Sequence, residues 1–470
     1  MKLSISRNIH LVEPGDFEAS DHWYPRALNS NIHPLVSHFL NLSKEQIIER
    51  YHRIEPQADP AELERILSYQ PVYFRWAGAD LMHVTNNIGQ RKLTVIETNS
   101  CPSGQKSMPL LDMHDEQGGY RRLLEQTFKP MVEQHTEDGV LAVVYDKNPM
   151  ENVGYAATIA DIFDKNVYLA QYKIHNGEPN VRFENKKMQL YIEDTGWVDV
   201  KAAFRYVTQE PWDLIPENSR TLLLNPIEAC LAGGRNKEVA SSAYARFNKE
   251  HAPKGLEIFT PGTFTNIKYK DLPEYFLKLS GCMVIKVPDS NAGQGVYTIT
   301  SNEELANAMK NLEGYQDDEY IVQQLIYSNP LNSHEEENVW YHVGTIPDTK
   351  GRSYAFDIRM MIHHTSEGFK PLAVYSRRAR QPLNKPLPEG VDSWEVFGTN
   401  LSVKSEEGWS YDDSRLMLYD IRNFGLLGIG IDELIKGYIQ TCMSVYAIDQ
   451  QGIAMFGEKT KQNVEQSTNS

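Results

Sequence analysis

The stretch Val284-Ile-Lys-Val-Pro-Asp-Ser-Asn-Ala-Gly-Gln-Gly-Val-Tyr297 places a lysine on a strand and a glycine-bearing loop directly after it. The apolar run from Val284 to Val287 is typical of a buried strand with Lys286 in its middle, and Val296 begins a second strand. Glycine lets the backbone approach a ligand closely, and successive loop N–H groups can form a concave anion site. The stretch therefore fits a phosphate-binding loop. It fits a β-hairpin with a long tip and a lysine reaching solvent equally well.

Far upstream, a second apolar strand ends in polar side chains. The run from Leu93 to Ile96 predicts a buried strand, and Glu97 and Asn99 follow it two residues apart, so both point to the same face. Two oxygen ligands on one face suit Mg²⁺, with phosphate oxygens and water completing its coordination. Asp80 on a preceding strand could supply a third ligand. The alternative is an exposed strand end, because most acidic residues lie on the surface.

Composition and charge narrow the class of protein. The 470 residues are 41% hydrophobic and 23% charged, as in soluble globular proteins, and the length suggests about three domains. The four cysteines form no CxxC pair, so neither a zinc site nor a disulfide framework is indicated. We expect no signal peptide and no transmembrane helix. A net charge of −16 argues against nucleic-acid or anionic-membrane partners.

The chain alternates between helical and strand-rich segments. Residues 1–70 predict mostly helices with no evident chemistry. Residues 138–230 predict an α/β unit, because the apolar run 139–146 is followed by a helix-like segment and further strands. This unit lacks GxGxxG, so dinucleotide binding is not indicated. The polar tail from Gly457 predicts disorder.

Charged residues also occur within the later strands. Asp357 and Arg359 share one face of a strand, and because unpaired buried charge is costly, they either pair with each other or serve a ligand. Arginines 377, 378 and 380 could meet an acidic substrate or phosphate, or end a solvated strand. Lys237 at a helix start could face a phosphate or water. The loop 102–107 could hold a carboxylate or be a plain turn.

Together these segments resemble the ATP-grasp ligases. In that family a lysine on a strand precedes a glycine-rich loop over the phosphates, here Lys286 and 290–295. The strand leading to the adenine hinge is similar to residues 320–326. An Asp-x-Arg strand is similar to residues 357–359, and an Asn-Leu-Ser element to residues 400–402.

The order of the motifs is the informative departure from ordinary ATP-grasp chains. Glu97-Thr-Asn99, followed by Pro-Ser-Gly, lies near the N-terminus instead of after Asp-x-Arg. This order resembles the circularly permuted ATP-grasp proteins, which include glutathionylspermidine synthetase, eukaryotic glutathione synthetase and a large bacterial group. The resemblance covers residues 72–405. The bacterial group often has Arg-x-Asp before the Glu-x-Asn strand. Here Gly78, not an arginine, stands two residues before Asp80, and the nearest arginine is Arg75.

The resemblance implies an α/β (α+β) fold, namely a circularly permuted ATP-grasp fold with an inserted Rossmann-like α/β substrate domain. The implied divisions are an N-terminal helical segment (1–70), the metal-binding part of the ATP-grasp core (71–137), an α/β pre-ATP-grasp-like domain (138–230), the nucleotide-binding subdomains (231–456) and a disordered tail (457–470).

The resemblance also implies an activity, namely ATP- and Mg²⁺-dependent ligation of a carboxylate, on an amino acid or small peptide, to an amine through an acylphosphate. Catalysis falls to Arg359, which would stabilise the transferring phosphoryl group, and to Lys286. The residues implied for ATP are Lys237, Lys286, Ser290, Asn291, Ala292, Gly293, Gln294, Gly295, Gln323, Gln324, Leu325 and Ile326. Those implied for the metal are Asp80, Glu97 and Asn99, and those for the substrate are Arg75, Ser100, Ser103 and Gln105.

Two other functions stay open at this point: a non-catalytic ATP-binding protein and a phosphotransferase on the same fold. A P-loop NTPase is not indicated, because GxxxxGK[ST] is absent. A protein kinase is not indicated either, because His-Arg-Asp and Asp-Phe-Gly are absent. The expected partners are small-molecule carboxylate and amine substrates and a second copy in a homodimer, with no nucleic acid and no membrane. The expected compartment is the cytoplasm.

Overall fold

The computed structural model describes residues 9–112, 114–172, 174–175, 178–208, 212–288, 295–315, 319–327, 339–384, 387, 390–405 and 408–468. For residues 174–175, 178, 402–405, 408–411 and 458–468 it describes the backbone alone.

The described strands are β1 (Ile9–Val12), β2 (Trp76–Thr85), β3 (Arg91–Asn99), β4 (Val140–Tyr145), β5 (Val167–Gln171), β6 (Ile174–His175), β7 (Glu178–Pro179), β8 (Val181–Glu184), β9 (Lys187–Ile192), β10 (Gly196–Tyr206), β11 (Leu222–Leu224), β12 (Thr263–Lys268), β13 (Met283–Lys286), β14 (Val296–Ile299), β15 (Glu319–Gln324), β16 (Tyr341–His342), β17 (Phe356–Thr365), β18 (Gly368–Arg378), β19 (Ser402–Ser405), β20 (Gly408–Tyr411) and β21 (Leu416–Met417). The described α-helices are α1 (Ala19–His22), α2 (Pro25–Leu28), α3 (Pro34–Leu40), α4 (Lys44–Ile54), α5 (Pro60–Leu67), α6 (Gly118–Leu123), α7 (Lys129–Gln134), α8 (Pro149–Phe163), α9 (Ile227–Ala229), α10 (Lys237–His251), α11 (Leu272–Lys278), α12 (Asn302–Asn311), α13 (Ser393–Phe397) and α14 (Ile431–Thr468).

The first sheet, here called the N-terminal sheet, has the order β1-β5-β4-β10-β9-β8, with β11 beside β10. Strands β5, β4, β10 and β11 run parallel, and α8 connects β4 to β5, as the sequence predicts for a βαβ unit. Strand β10 is continuous, whereas the sequence predicts two short strands. A register shift at Lys201 lets its start pair antiparallel with β9 and its end pair parallel with β4.

The second sheet, here called the central sheet, joins strands from the two ends of the chain. Its order is β16-β2-β17-β18-β21, with β3 beside β2, and all of these pairs are antiparallel. Asp80 on β2 lies opposite Arg359 on β17 and opposite Glu97 on β3. The early Glu-x-Asn strand and the late Asp-x-Arg strand therefore lie in one sheet, separated only by β2.

The third sheet, here called the small sheet, is antiparallel in the order β12-β15-β13-β14. It packs with α11 and α12 around its own apolar core. Strands β13 and β14 form the hairpin that the sequence predicts around Lys286. The Ser301 hydroxyl accepts a hydrogen bond from the N–H of Glu304 and caps α12. Together the three sheets and their helices confirm a mixed α/β fold.

Helix α14 packs against β3, β17 and α10, and the buried Asp449 carboxylate accepts hydrogen bonds from the N–H groups of Tyr73 (2.7 Å) and Phe74 (2.8 Å). The backbone stays helical to Thr468, where the sequence predicts a disordered tail from Gly457. Once a helix is nucleated, residues such as Glu, Lys and Gln extend it at little cost. Among the described residues, every helix is too short or too polar to cross a lipid bilayer.

Candidate active site

A cavity of about 440 Å³ lies where the three sheets meet. The central sheet contributes Asp80, Glu97 and Arg359, and the small sheet contributes Lys286 and the end of β15. The carboxyl ends of β4 and β10 in the N-terminal sheet close the far end. Four of the residues that the sequence singles out on distant segments, Asp80, Glu97, Lys286 and Arg359, therefore share one cavity.

A β-bulge aims the Glu97 strand at Lys286. Glu97 pairs with Asp80 and Val95 pairs with Leu81, so Ile96 is the extra residue between them. The Ile96 carbonyl accepts a hydrogen bond from Lys286 Nζ at 3.4 Å. This bond crosses from the small sheet to the central sheet, so it holds the lysine of the glycine-bearing stretch beside the Glu-x-Asn strand.

Lys286 is buried, with 5% of its surface exposed. Burial lowers the pKa of its ammonium group to about 8, the nearby Glu97 carboxylate acts in the opposite direction, and Lys237 lowers the pKa further. A buried ammonium with so little compensation is suited to an anionic ligand, because the ligand's charge would replace the lost solvation.

Glu97 and Asn99 are both half-buried and line the cavity. Asn99 Nδ2 donates to Glu97 Oε1 at 3.3 Å, so the two side chains lie side by side as their spacing predicts. Within the described residues there is no cluster of three or more His, Cys, Asp or Glu that could hold a metal ion. One carboxylate and one amide therefore fit Mg²⁺ only where phosphate oxygens and water complete its coordination.

Asp80 is the centre of a buried ion-pair network across β2, β17 and β18. Arg359 donates to both of its oxygens, Nε to Oδ1 and Nη2 to Oδ2, each at 2.6 Å. Arg377 Nη2 lies 2.8 Å from Asp80 Oδ2 and also pairs with Asp357. Thr399 Oγ1 donates to Asp357 Oδ2 at 2.8 Å. Asp357 and Arg359 therefore do not pair with each other, which was one of the alternatives that the sequence left open, because each pairs with a residue on a neighbouring strand. Of the arginines that follow, Arg377 joins this network, whereas Arg380 pairs with Glu395.

The charges of this network stabilise one another. Burial alone would raise the pKa of Asp80, but the guanidinium groups of Arg359 and Arg377 overcome that effect and hold the pKa well below its usual range. Because both Asp80 oxygens bind guanidinium groups, this arrangement offers none of them to a metal. A metal role for Asp80 stays a prediction, and the fit to Mg²⁺ rests on Glu97 and Asn99.

The segment from Gln323 to Ile326, predicted as the adenine hinge, lines the cavity along its whole length. Gln323 Nε2 donates to Thr263 Oγ1 at 2.9 Å, which fixes the end of β15 to β12. The rings of His342 and Phe397, which line the same cavity, stack with centroids 5.9 Å apart and planes 14° apart. Burial lowers the pKa of His342 to about 4, so its ring is neutral near pH 7. This end of the cavity offers apolar and aromatic surface for a flat ring.

Two of the predicted ATP contacts lie at the edge of the site. Lys237 opens α10 and lines a smaller adjoining cavity together with Glu97, Asn99 and Lys286. Gly295 follows the predicted phosphate loop with φ +65°, a conformation that favours glycine, and its carbonyl accepts from the N–H of Val287 at 2.9 Å. The loop residues Ser290, Asn291, Ala292, Gly293 and Gln294 lie outside the described residues.

The predicted substrate residues divide into two groups. Ser100 and Ser103 line the cavity, whereas Gln105 and Arg75 do not. Gln105 packs behind the loop, where its N–H donates to Glu151 Oε1 at 2.8 Å. Arg75 lies before β2 on a separate groove. Arg75 and Gln105 therefore stay predictions without support from the position of their side chains.

Close packing explains the turn after Glu-x-Asn. A Cβ atom at Gly104 would lie 2.5 Å from Met361 Sδ and 2.6 Å from a Tyr375 ring carbon, so only glycine lets the loop reach the central sheet. A Cβ atom at Gly78 would lie 2.7 Å from Pro102 Cβ. The loop itself therefore fills the space beside Gly78.

Several cavity residues carry no functional prediction from the sequence, namely Lys106, Lys147, Asn148, Tyr206, Arg235 and Tyr375. Some of them had a detectable signal. Lys147 and Asn148 directly follow the predicted β4, and ligands of parallel sheets bind beyond the carboxyl ends of the strands. Lys106 and Arg235 lie in irregular segments, Tyr206 ends β10 and Tyr375 lies within β18, and no pattern in the sequence marks these four.

No family model matches the chain, and no curated protein matches it significantly. Among solved structures, a glutathione synthetase-like effector from Globodera pallida is similar over 76% of this chain and 85% of its own, with 11% identity and a TM-score of 0.39. D-alanyl-alanine synthetase A from Vibrio cholerae is similar over 50% and 87%, with 11% identity and a TM-score of 0.30. A RimK domain ATP-grasp protein from Sphaerobacter thermophilus is similar over 50% and 90%, with 12% identity and a TM-score of 0.29. At these TM-scores the similarity does not indicate which reaction the protein catalyses. The proposed chemistry is therefore inferred from the geometry of the site alone.

Proposed function

We propose that this protein is an ATP- and Mg²⁺-dependent ligase that joins a carboxylate to an amine through an acylphosphate. The observation that carries the proposal is the meeting of Lys286 with Glu97 and Asn99 across one cavity. A buried lysine cation and a carboxylate–amide pair are what the phosphates of ATP and their metal ion require. They come from two different sheets, and Lys286 lies 190 residues after Ile96, the residue just before Glu97.

ATP would lie with its base between Gln323–Ile326 and the stacked rings of His342 and Phe397, and with its phosphates toward Lys286 and Lys237. Glu97 and Asn99 would hold Mg²⁺, which neutralises negative charge on the phosphates when bound. Arg359, held in place by Asp80, would offer its remaining N–H groups to the phosphoryl group in transfer.

The reaction needs no protein nucleophile. A carboxylate oxygen of the substrate attacks the γ-phosphorus, the bond from that phosphorus to the bridging oxygen breaks, and ADP leaves. The amine then attacks the carbonyl carbon of the acylphosphate, the C–O bond to phosphate breaks, and the amine loses a proton. Inorganic phosphate leaves with one oxygen of the original carboxylate. The protein positions the reactants, stabilises charge and excludes water from the acylphosphate.

The chain order supports the permuted form of this fold. The strand with Glu97 and Asn99 comes 260 residues before the strand with Arg359 in the sequence, yet only β2 separates them in the central sheet. A permuted ligase requires this arrangement, because the strand that binds the metal ion comes early in the chain but has to lie close to the strands that bind the phosphates.

The test is ADP release from ATP and Mg²⁺ against a panel of amino acids, small peptides and polyamines, with mass detection of a product lighter by one water than the summed substrates. We expect ADP and this product in equal amounts, both dependent on the amine. A stable phosphorylated substrate without amine dependence would instead establish a phosphotransferase. ATP binding without turnover on any substrate pair would establish a non-catalytic ATP-binding protein.

A further inference from the structure

The far end of the cavity is positively charged. Within the described residues, the cavity lining carries six lysines and arginines against three carboxylates, although the whole chain has a net charge of −16. Two of the carboxylates, Asp80 and Asp357, bind Arg359 and Arg377. The lysines and arginines that remain outside this network are Lys286 beside Glu97, and Lys106, Lys147 and Arg235 at the far end.

The cations of the far end come from three separate segments. Lys147 follows β4, Lys106 lies in the turn after β3, and Arg235 precedes α10. Lys106 is 5% exposed, and its Nζ donates to Asn148 Oδ1 and lies 3.9 Å from the buried Glu151 carboxylate. The Lys147 carbonyl accepts a hydrogen bond from Asn152 Nδ2 at 2.9 Å, whereas its side chain makes no hydrogen bond or ion pair with the described part of the chain. Arg235 stacks over the Trp212 ring at 4.4 Å.

The sheet topology places this end where ligands of parallel sheets bind. The chain leaves β4 through α8 to β5 on one side, whereas β10 lies on the other side of β4. Such a change of direction opens a crevice beyond the carboxyl ends of the two strands. Lys147 and Asn148 follow β4, and Tyr206 and Thr208 close β10, and all four line the cavity.

The far-end cations are distinct from the lysines assigned to ATP. Burial lowers the pKa of Lys147, the neighbouring Asp146 carboxylate acts in the opposite direction, and Arg235 and Arg359 lower the pKa further. The charges that act on Lys286 are those of Glu97, Lys237 and Asp80. The Asp80–Arg359 pair contacts both parts of the cavity, because Asp80 lies opposite Glu97 in the central sheet and Arg359 donates to the Ser103 carbonyl in the loop of Lys106.

We propose that Lys106, Lys147 and Arg235 bind a second carboxylate of the acyl substrate, one that does not react, so that the substrate is a dicarboxylate such as an acidic amino acid or a peptide with a free terminal carboxylate. This inference rests on the proposed ligase function. Anchored at this end, the substrate would extend its reacting carboxylate toward Arg359. The loop that carries Lys106 also contacts that arginine, because Arg359 Nη1 donates to the Ser103 carbonyl at 3.4 Å.

The experiment compares matched acids on the full chain with ATP and Mg²⁺ present. Succinate, glutarate and L-glutamate are paired with butyrate, valerate and L-norvaline, which have the same chain length but one carboxylate fewer. Dissociation constants are measured by calorimetry with a non-hydrolysable ATP analogue. We expect the best dicarboxylate to bind at least about tenfold more tightly than its partner, since each added hydrogen bond to a charged group strengthens binding by about that factor or more.

Substitutions at Lys147 test whether this residue causes the preference for a dicarboxylate. Lys147→Met should abolish it, Lys147→Arg should retain it, and Lys165→Met, at an exposed lysine beyond α8, serves as the matched control that retains it. Equal binding of mono- and dicarboxylates to the wild-type protein would overturn the inference even if no variant folded. A preference that survives in Lys147→Met would overturn it too. Failure of the analogue itself to bind would instead count against the ligase proposal.

Discussion

The two ends of the cavity differ in how the chain assembles them. The nucleotide end draws Lys286 and the segment 323–326 from strands β13 and β15, which pair with each other in the small sheet. The far end draws Lys106, Lys147 and Arg235 from turns that only the folded N-terminal sheet and its surroundings bring together. Local assembly leaves a pattern in the sequence, and non-local assembly leaves single residues that look like surface lysines and arginines.

The ends also differ in their charge balance. The lysine of the nucleotide end faces Glu97, whereas Lys147 has no carboxylate in hydrogen-bond or ion-pair contact among the described residues. The Asp80 network stands between the ends and contacts both: Arg359 binds Asp80, and it reaches the Ser103 carbonyl in the turn at the far end. Substitutions in the Asp80 network and at each end of the cavity would separate their contributions.

We expect the largest effect, a loss of stability, from a substitution in the Asp80 network. Asp80→Asn would leave Arg359 and Arg377 without their shared carboxylate in a buried place, and breaking such a pair costs about 3–5 kcal/mol. Urea unfolding followed by fluorescence measures the free energy of unfolding. Asp348→Asn, which removes a solvent-exposed ion pair with Arg352, should leave it nearly unchanged. If Asp80→Asn were as stable as wild type to within about 1 kcal/mol, the network would not be the support that we describe.

Glu97→Ala tests the nucleotide end. Loss of the carboxylate proposed to hold Mg²⁺ beside Lys286 should lower kcat/KM for ADP release about 100- to 1,000-fold, the range for removal of one stabilising group. The matched control is Glu303→Ala on the exposed side of α12, which should behave as wild type. Turnover of Glu97→Ala at near wild-type rate would remove the metal-binding strand from the account.

The pH dependence of ATP affinity reports on Lys286. Its ammonium group loses its proton above about pH 8, so ATP affinity should fall by up to about tenfold per pH unit above that value. Titration of ATP between pH 7 and pH 10 measures this slope, which Lys286→Met should lack. A slope that persists in Lys286→Met would assign the titration to another group.

The same shift in pKa has a consequence for the ligand-free protein. The lysine keeps its proton to about pH 10.5 in the unfolded chain but only to about pH 8 in the fold. The unfolded state therefore binds more protons between these values, and the free energy of unfolding should rise with pH over that window. Lys286→Met should remove this rise, and urea titrations at a series of pH values would reveal it.

We expect the smallest loss of stability from a substitution at the start of α12, beside the small sheet. Ser301→Ala removes the hydroxyl that caps α12 and should cost about 1 kcal/mol of stability. Hydrogen exchange would locate the change. Faster exchange in the small sheet with unchanged exchange in β4 and β10 would show that the two ends of the cavity unfold separately, and uniform change across all three sheets would show that they do not.

The sequence predicts the fold class and most strands of the site, because hydrophobic runs with the period of a strand are local. It places Lys286, Glu97 and Asn99 correctly on strands, and the structure brings them together as the proposed site requires. It could not place Arg75 or Gln105, whose neighbours depend on which way a turn folds. It also could not show that Asp80 would be engaged by two arginines, because that depends on the register of β2 against β17.

Transfer of an oxygen atom tests the ligase proposal most directly and joins both ends of the cavity in one reaction. Glutarate labelled with oxygen-18 in its carboxylates is incubated with the protein, ATP, Mg²⁺ and hydroxylamine, which traps any acylphosphate without knowledge of the natural amine. The ligase proposal requires glutaryl hydroxamate and an equal amount of inorganic phosphate that carries one labelled oxygen, and this is the result that we expect. Formation of ADP with unlabelled phosphate and no hydroxamate would mean that water, not the carboxylate, receives the phosphoryl group, and would contradict it.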